Sequence, residues 1–417
     1  MRKLTALTLL TLAFTSVLAL SPASLADESG AGPGKEKEWT LLVYLNGNNN
    51  LDRFGKMNVL QMEKVGSTAD INVVVQWASI SAGGVKRYFI TKGSNPNTVA
   101  SPPVQDLGKV DMGDYKNLVS FIEWGVKNFP AKHYFVDVWD HGSGWHAALA
   151  RLKMLGGRID FTPGFSPFDI SWDDNTGHSI STLQLGQAME EAKRTMGHKV
   201  DLYGSDACLM AMAEVANQMS DSVSVYSGSQ EVEPGAGWPY DTFLARWAKN
   251  GKASPKEVGT YLTEEYTASY MGGVNGHSNV TFSTYDLTKM EMLNASVRKL
   301  GSELATLPTG SMSKVMDVIN GVQNFTFGDY GDLGDFIKGL ETAAITGLER
   351  APFGEIKEAM NQFVVSNKVT PGFSKATGIS IWLPSSKGTY NQYSGSYETL
   401  KFHQNTHWGD ALKVILN

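Results

Sequence analysis

The apolar positions along the chain switch between two periods. Thr40-Leu-Leu-Val-Tyr-Leu45 and Ile71-Asn-Val-Val-Val-Gln-Trp77 are short, nearly unbroken apolar runs, which predict strands buried on both faces; Arg87–Thr91 predicts a third. Between Asp114 and Phe129 the period lengthens. Leu118, Phe121, Ile122, Val126 and Phe129 fall on one helical face, with Asp114 placed to cap the start and Pro130 to stop the helix. Tyr134-Phe-Val-Asp-Val-Trp139 returns to the strand pattern. The alternation then repeats. A helix from Ser181 to Arg194 opens on the capping pair Ser181 and Gln184, followed by a strand at Lys199–Tyr203, a helix at Leu209–Met219 and a strand at Val223–Ser227. Strands and helices alternating at this spacing make parallel βαβ crossovers, hence a layered α/β fold. The second half reads as more helical, at about 241–269, 287–306, 331–342 and 354–366, with further strands at Val280–Tyr285 and Gly378–Leu383.

Three stretches fall outside this pattern. Residues 1–26 have the form of an export signal: a basic head at Met1-Arg2-Lys3, an apolar stretch from Leu4 to Leu20, and small residues at Ser24 and Ala26 before a cut. No later run approaches the ~20 apolar residues of a membrane span, so a mature chain without a membrane anchor, secreted or periplasmic, is expected. Residues 27–38 are polar and rich in Gly and Pro, a flexible leader before a domain at 39–417. The stretch 146–170 has no sustained period, is punctuated by Gly and Pro, and carries Arg151, Lys153 and Arg158. A loop of that length is uncommon in a compact domain unless it has a function.

Composition narrows the classes. With 417 residues, 42% hydrophobic and 19% charged, the chain is a folded globular protein rather than a disordered or collagen-like one. The net charge of −6 becomes −8 once Arg2 and Lys3 are removed, which argues against a nucleic-acid partner. Exported proteins that use cysteine for structure use it in pairs, and this chain has a single one, Cys208. It is a core thiol, an intermolecular link or a reagent.

Parallel sheets place ligands at the carboxyl ends of their strands, and two loops there carry chemistry. The first is Asp140-His141-Gly142-Ser143-Gly144-Trp145, after the strand ending at Trp139. The second is Gly204-Ser205-Asp206-Ala207-Cys208, with the helix from Leu209 read as starting directly behind it. The crossover between them makes the two strands expected neighbours, so His141 and Cys208 would share one sheet edge. A helix N-terminus would favour the thiolate, and an imidazole could protonate a departing amine.

The blocks Val138-Trp-Asp-His-Gly-Ser-Gly-Trp145 and Asp201-Leu-Tyr-Gly-Ser-Asp-Ala-Cys-Leu-Met210 resemble the clostripain family of cysteine peptidases. The likeness extends to Val43-Tyr-Leu-Asn-Gly-Asn-Asn-Asn-Leu-Asp52, Trp172-Asp-Asp174, Glu231-Val-Glu-Pro-Gly-Ala-Gly-Trp-Pro-Tyr240, Asp332-Leu-Gly-Asp335 and Gly378-Ile-Ser-Ile-Trp-Leu-Pro384, and so covers most of the mature chain. The resemblance implies a caspase-like three-layer α/β sandwich with a central, mostly parallel sheet and helices on both faces. It implies Cys208 as nucleophile, His141 as acid–base group, and the backbone N–H groups of Gly142 and Cys208 as oxyanion donors. It also implies cleavage after Arg, less well after Lys, with Asp206 at the base of the pocket for that side chain, since a carboxylate meets a guanidinium in bidentate fashion. An acid before a helix can equally be a plain cap. Ser229, Gln230 and Glu231, after the next strand, fall where such enzymes present substrate-binding backbone. Some members of the family cut themselves between the His and Cys blocks, which makes Arg151, Lys153 and Arg158 candidate sites.

No cofactor is required by this chemistry. Calcium is possible, with oxygen ligands on offer at Asn46–Asp52 and Asp173-Asp174, although neither segment has EF-hand spacing. Peptides or proteins with Arg or Lys at the cut are the expected partners. Other motifs are weaker. Ser311-Met-Ser-Lys314 lacks its partner motifs, His141 and His146 lack zinc-protease spacing, and Gly142-Ser143-Gly144 is no nucleophile elbow. Two alternatives stay open: a non-catalytic secreted binding protein on the same fold, and a peptidase cleaving after Asn or Asp.

Overall fold

The computed structural model describes residues 34–93, 95–146 and 169–417. The proposed export signal and the cut-site candidates Arg151, Lys153 and Arg158 lie outside the described residues.

The first strands are β1 (Lys37–Gly47), β2 (Ile71–Ser79), β3 (Gly84–Phe89), β4 (Pro103–Gly108) and β5 (Ala131–Trp139). A short hairpin of β6 (Ile170–Asp173) and β7 (His178–Ile180) precedes β8 (Val200–Asp206) and β9 (Val223–Gly228). A second hairpin, β10 (Met271–Gly273) with β11 (Gly276–His277), leads into β12 (Thr281–Asp286). The last three are β13 (Tyr330–Asp332), β14 (Val364–Val369) and β15 (Ser380–Trp382), with β13 paired to β15.

Nine strands form one sheet in the order β14-β12-β9-β8-β5-β1-β2-β3-β4. The central five, β9-β8-β5-β1-β2, are parallel, and antiparallel pairs extend both edges. The unbroken apolar runs follow from burial on both faces. In β1, Leu41, Val43 and Leu45 enter one core with the helices Asp52–Glu63, Tyr240–Trp247 and Pro255–Ser269. Leu42 and Tyr44 enter the other, with the helices Tyr115–Asn128 and Thr182–Met196. The C-terminal helices, among them Met290–Ala305 and Trp408–Ile415, enlarge this second core. The result is the three-layer α/β sandwich that the sequence implied.

Several boundaries differ from expectation. β1 begins at Lys37, so the last two residues of the predicted leader are strand. Lys37 is buried there, its ammonium on the Thr68 carbonyl at 2.5 Å. The edge strand β4 has no buried face, hence no apolar pattern to betray it. The predicted helix 241–269 is two helices, the second started by Ser254 and Glu257 in a capping box. The helix predicted at 354–366 stops at Phe363, where the chain turns directly into β14.

The register places the site. Leu45 pairs with Trp139 and Trp139 with Asp206, so β1, β5 and β8 end level with one another. From β1 the chain moves to β2 on one side, and from β5 it moves to β8 on the other. Such a reversal opens a crevice beyond the strand ends, where ligands bind in parallel α/β sheets.

Candidate active site

A cleft of about 230 Å³ occupies that crevice, with His141, Asp206, Cys208, Glu233 and Phe327 among its walls. The two candidate loops touch beneath it. A Cβ placed on Gly142 would lie 2.5 Å from the Cys208 carbonyl oxygen and 2.9 Å from the Ala207 methyl, so only glycine lets the histidine loop pack on the cysteine turn. The histidine loop is braced from behind by the start of β6. Ser143 N–H donates to the Asp169 carbonyl at 2.9 Å, Ser171 N–H donates to the His141 carbonyl at 3.3 Å, and Gly142 bridges to Ile170. His146, at the other end of that loop, is buried with Nε2 on Asp329 at 3.0 Å and its ring stacked on Tyr393.

The helix behind Cys208 begins later than its sequence suggests. It spans Ala213–Met219, and residues 208–212 form a turn in which Leu209 takes a left-handed φ of 65°. The thiol therefore does not sit at a helix N-terminus, and the expected dipole support for its thiolate is absent. The turn is instead pinned by its backbone, Leu209 N–H donating to the Glu231 carbonyl at 3.2 Å and Ala211 N–H to the Ser229 carbonyl at 2.9 Å. Cys208 itself is half-buried, its Sγ 3.8 Å from the Glu233 carbonyl.

Asp206 ends β8 as a buried floor of the cleft rather than as a helix cap. Its Oδ2 receives Trp238 N–H at 3.3 Å and faces the Tyr240 hydroxyl at 2.9 Å, while the same hydroxyl lies 2.6 Å from Asp137 Oδ2. One phenol proton cannot satisfy two carboxylates at once, which disfavours having both acids ionised. Gly237 makes the room: its φ is +61°, and a Cβ there would come within 2.9 Å of Asp206 Oδ1.

Glu233 joins this cluster. Neither of its carboxylate oxygens is met by an N–H or hydroxyl donor, although the side chain is buried in the cleft wall. Burial drives all three acids upward. Asp206 is pushed up to about 7, and Asp137 and Glu233 are raised well above the usual carboxylate range, each further lifted by the Asp206 charge.

The other predicted contacts sit behind the wall. Ser229 and Gln230 are fully buried, Ser229 Oγ donating to the Thr281 carbonyl at 2.7 Å and Gln230 Nε2 to Asp332 Oδ2 at 3.0 Å. Glu231 accepts from Thr326 N–H at 3.1 Å and from Val232 N–H at 2.7 Å. None of the three lines the cleft; Val232, Glu233, Pro234, Gly235 and Gly237 do. The oxygens offered for calcium are engaged by donors. Asp173 accepts from Asn48 Nδ2 at 2.8 Å and Met112 N–H at 2.9 Å, Asn46 Oδ1 from Asn48 N–H at 3.0 Å, and Asn49 Oδ1 from Leu51 N–H at 2.9 Å. Among the described residues, His403, His407 and Asp410 bring together three side chains that could hold a metal, at the junction of two C-terminal helices that do not line the cleft.

Three residues at the site carried no signal of their own. Glu233 and Tyr240 lie in a block already singled out, but nothing in its order tells that Glu233 turns to the cleft and that the Tyr240 hydroxyl reaches Asp137 and Asp206 beneath it. Asn50 accepts from His141 Nε2 at 2.7 Å, and only the folded loop brings the two together.

A histidine and a cysteine on adjoining strand ends, above buried acids, define an α/β protein with a hydrolase-type site. Solved structures place the fold. An inactive zymogen C11 protease from Parabacteroides distasonis is 17% identical, with a TM-score of 0.65 over 89% of this chain and 99% of that one. A secreted C11 cysteine protease from Bacteroides thetaiotaomicron, solved with an irreversible peptide inhibitor, is 18% identical, also with a TM-score of 0.65 over 89% and 99%. The fold is therefore caspase-like. The family follows: the model of the clostripain family, Peptidase_C11, matches residues 43–414, and the chain belongs to that family. Clostripain from Hathewaya histolytica is 26% identical over 223 residues, which are 47% of this chain and 40% of clostripain's length.

Proposed function

We propose that the protein is an exported cysteine endopeptidase that cuts after Arg, and less well after Lys. The observation that carries the reading is the meeting of His141 and Cys208 at a cleft floored by Asp206. The Cys208 thiolate attacks the scissile carbonyl, and the backbone N–H groups of Gly142 and Cys208 receive the oxyanion. His141 protonates the leaving amine, then takes a proton from the water that hydrolyses the acyl-enzyme. The side chain before the cut reaches down to Asp206. There a guanidinium meets a planar carboxylate with two parallel hydrogen bonds, which an ammonium cannot do. Glu233 adds a second acid beside it.

Self-processing belongs to the same reading, at Arg151, Lys153 or Arg158. The chain on either side is held independently, His146 by Asp329 and Asp169 by Ser143, which supports a cut that leaves the site intact. Residues 1–26 are read as the export signal, in keeping with relatives described as secreted. Calcium enters the reading only as a test condition.

Fluorogenic peptides ending in Arg, Lys, Asn and Asp, with and without calcium, test the proposal. Arg cleavage that disappears in Cys208→Ala supports it. Preferred cleavage after Asn or Asp would replace the specificity. No turnover, with Cys208 inert to iodoacetamide in the folded and processed protein, would leave a binding protein on the same fold.

A further inference from the structure

We propose that Asn50 is a positioning residue for His141: its side-chain oxygen holds Nε2–H, so that Nδ1 is the nitrogen that exchanges a proton with Cys208. The proposal rests on the Cys–His reading above. His141 Nε2 lies 2.7 Å from Asn50 Oδ1. During the reaction the imidazole becomes an imidazolium, with both nitrogens protonated, and an amide oxygen is then a partner that can only accept. The proton that leaves the Cys208 thiol arrives at Nδ1, and the same proton goes to the departing amine. The other proton stays on Nε2 throughout, hydrogen-bonded to Asn50 Oδ1, so no charge moves to the amide.

The loop that presents Asn50 is tied down by hydrogen bonds on the residues around it, which gives the contact its orienting power. Asn46, Asn48 and Asn49, the residues just before it, are buried. Asn46 and Asn49 donate to Asp140 at 3.1 and 2.7 Å, the residue directly before His141. Asn48 donates to Asp173 at 2.8 Å, and its own N–H donates to Asn46 Oδ1 at 3.0 Å. Leu51 N–H closes onto Asn49 Oδ1 at 2.9 Å, immediately ahead of the helix Asp52–Glu63. Asn50 is thus fixed from both sides, while its own amide reaches the imidazole from the end of β1, the strand next to β5. A ring left to swing about its side-chain bonds loses the orientation that the proton transfer requires.

Asn50→Ala and Asn50→Asp test this, with a fluorogenic Arg peptide across pH. Asn50→Ala is expected to lower kcat about tenfold, a share typical of an oriented acid–base group, with KM changed by less than about twofold. The alkaline limb of its kcat profile should move to lower pH, because the imidazolium has lost an acceptor. Asn50→Asp should recover most of kcat and move that limb the other way, since a carboxylate favours the imidazolium more strongly. Alkylation of Cys208 by iodoacetamide across pH, in wild type, His141→Ala and Asn50→Ala, separates the two ideas. An Asn50→Ala profile displaced part of the way towards that of His141→Ala supports the proposal. If His141→Ala matches wild type, the Cys–His reading fails and this proposal with it. If His141→Ala shifts while Asn50→Ala does not, or if both Asn50 variants lose activity with unmoved limbs, the Cys–His reading stands and the role of Asn50 is overturned.

Discussion

Two sets of acids are buried in this protein, and their surroundings differ. Glu214 lies in the helix behind Cys208, wholly enclosed. Its Oε1 receives Trp382 N–H and the Tyr397 hydroxyl, each at 2.9 Å, and burial pushes it up to about 7. Asp206 is pushed up to a similar value by the same cause, yet it floors a cleft, with the Glu233 carboxyl paired against its own. A raised carboxyl alone therefore does not mark a functional site. What separates the two sets is position: Asp206 and Glu233 line the cleft, and Glu214 is not among the residues that line it.

The largest effect expected from this contrast is on specificity. Asp206→Asn should reduce kcat/KM for an Arg peptide by ~10²–10³-fold, the cost of truncating one partner of a buried charge pair, while Glu214→Gln leaves it within about twofold. Comparable losses in both variants would show that the contrast is one of stability rather than recognition.

The second effect concerns folding. The folded carboxyl of Glu214 titrates near 7 against a usual value of 4.5. Its contribution to stability is thus complete below about pH 4.5 and is lost as pH rises through about 7. Wild type should lose on the order of 3 kcal/mol more than Glu214→Gln between pH 5 and pH 8 in urea unfolding. Parallel losses in the two proteins would mean that Glu214 stays ionised in the fold.

A smaller effect is the pH dependence of binding. Because Asp206 loses its proton near 7, KM for an Arg peptide should fall about tenfold from pH 6 to pH 8, and Asp206→Asn should flatten this slope. Smallest of all, Glu233→Gln should raise KM for Arg only several-fold, roughly the value of one neutral hydrogen-bonding carboxyl beside Asp206. A larger change than in Asp206→Asn would make Glu233 the primary acid.

The sequence disclosed the sheet and the pairing of its loops because both rest on burial patterns. Apolar runs such as Leu41–Leu45 are buried on both faces, and a crossover puts β5 beside β8 almost by necessity, so His141 and Cys208 were expected on one edge. The rest depends on features with no period. The turn at 208–212, which delays the helix, is set by a left-handed Leu209 and by hydrogen bonds to residues more than fifteen positions away. Ser229, Gln230 and Glu231 follow a strand end as a substrate contact should, but β12 and the 325–327 loop close over them and leave Val232 and Glu233 on the wall. Edge strand β4 was invisible because it buries nothing.

The sheet register has one more consequence. β5 and β8 flank the stretch 147–168 in sequence, yet they are hydrogen-bonded neighbours in the middle of the sheet, each with a further partner strand on its far side. The two halves of the chain thus abut along a seam between β5 and β8, which ends at the edge that carries the cleft. Produced as separate polypeptides divided within that stretch, the halves should complement each other, with neither half active until it finds the other.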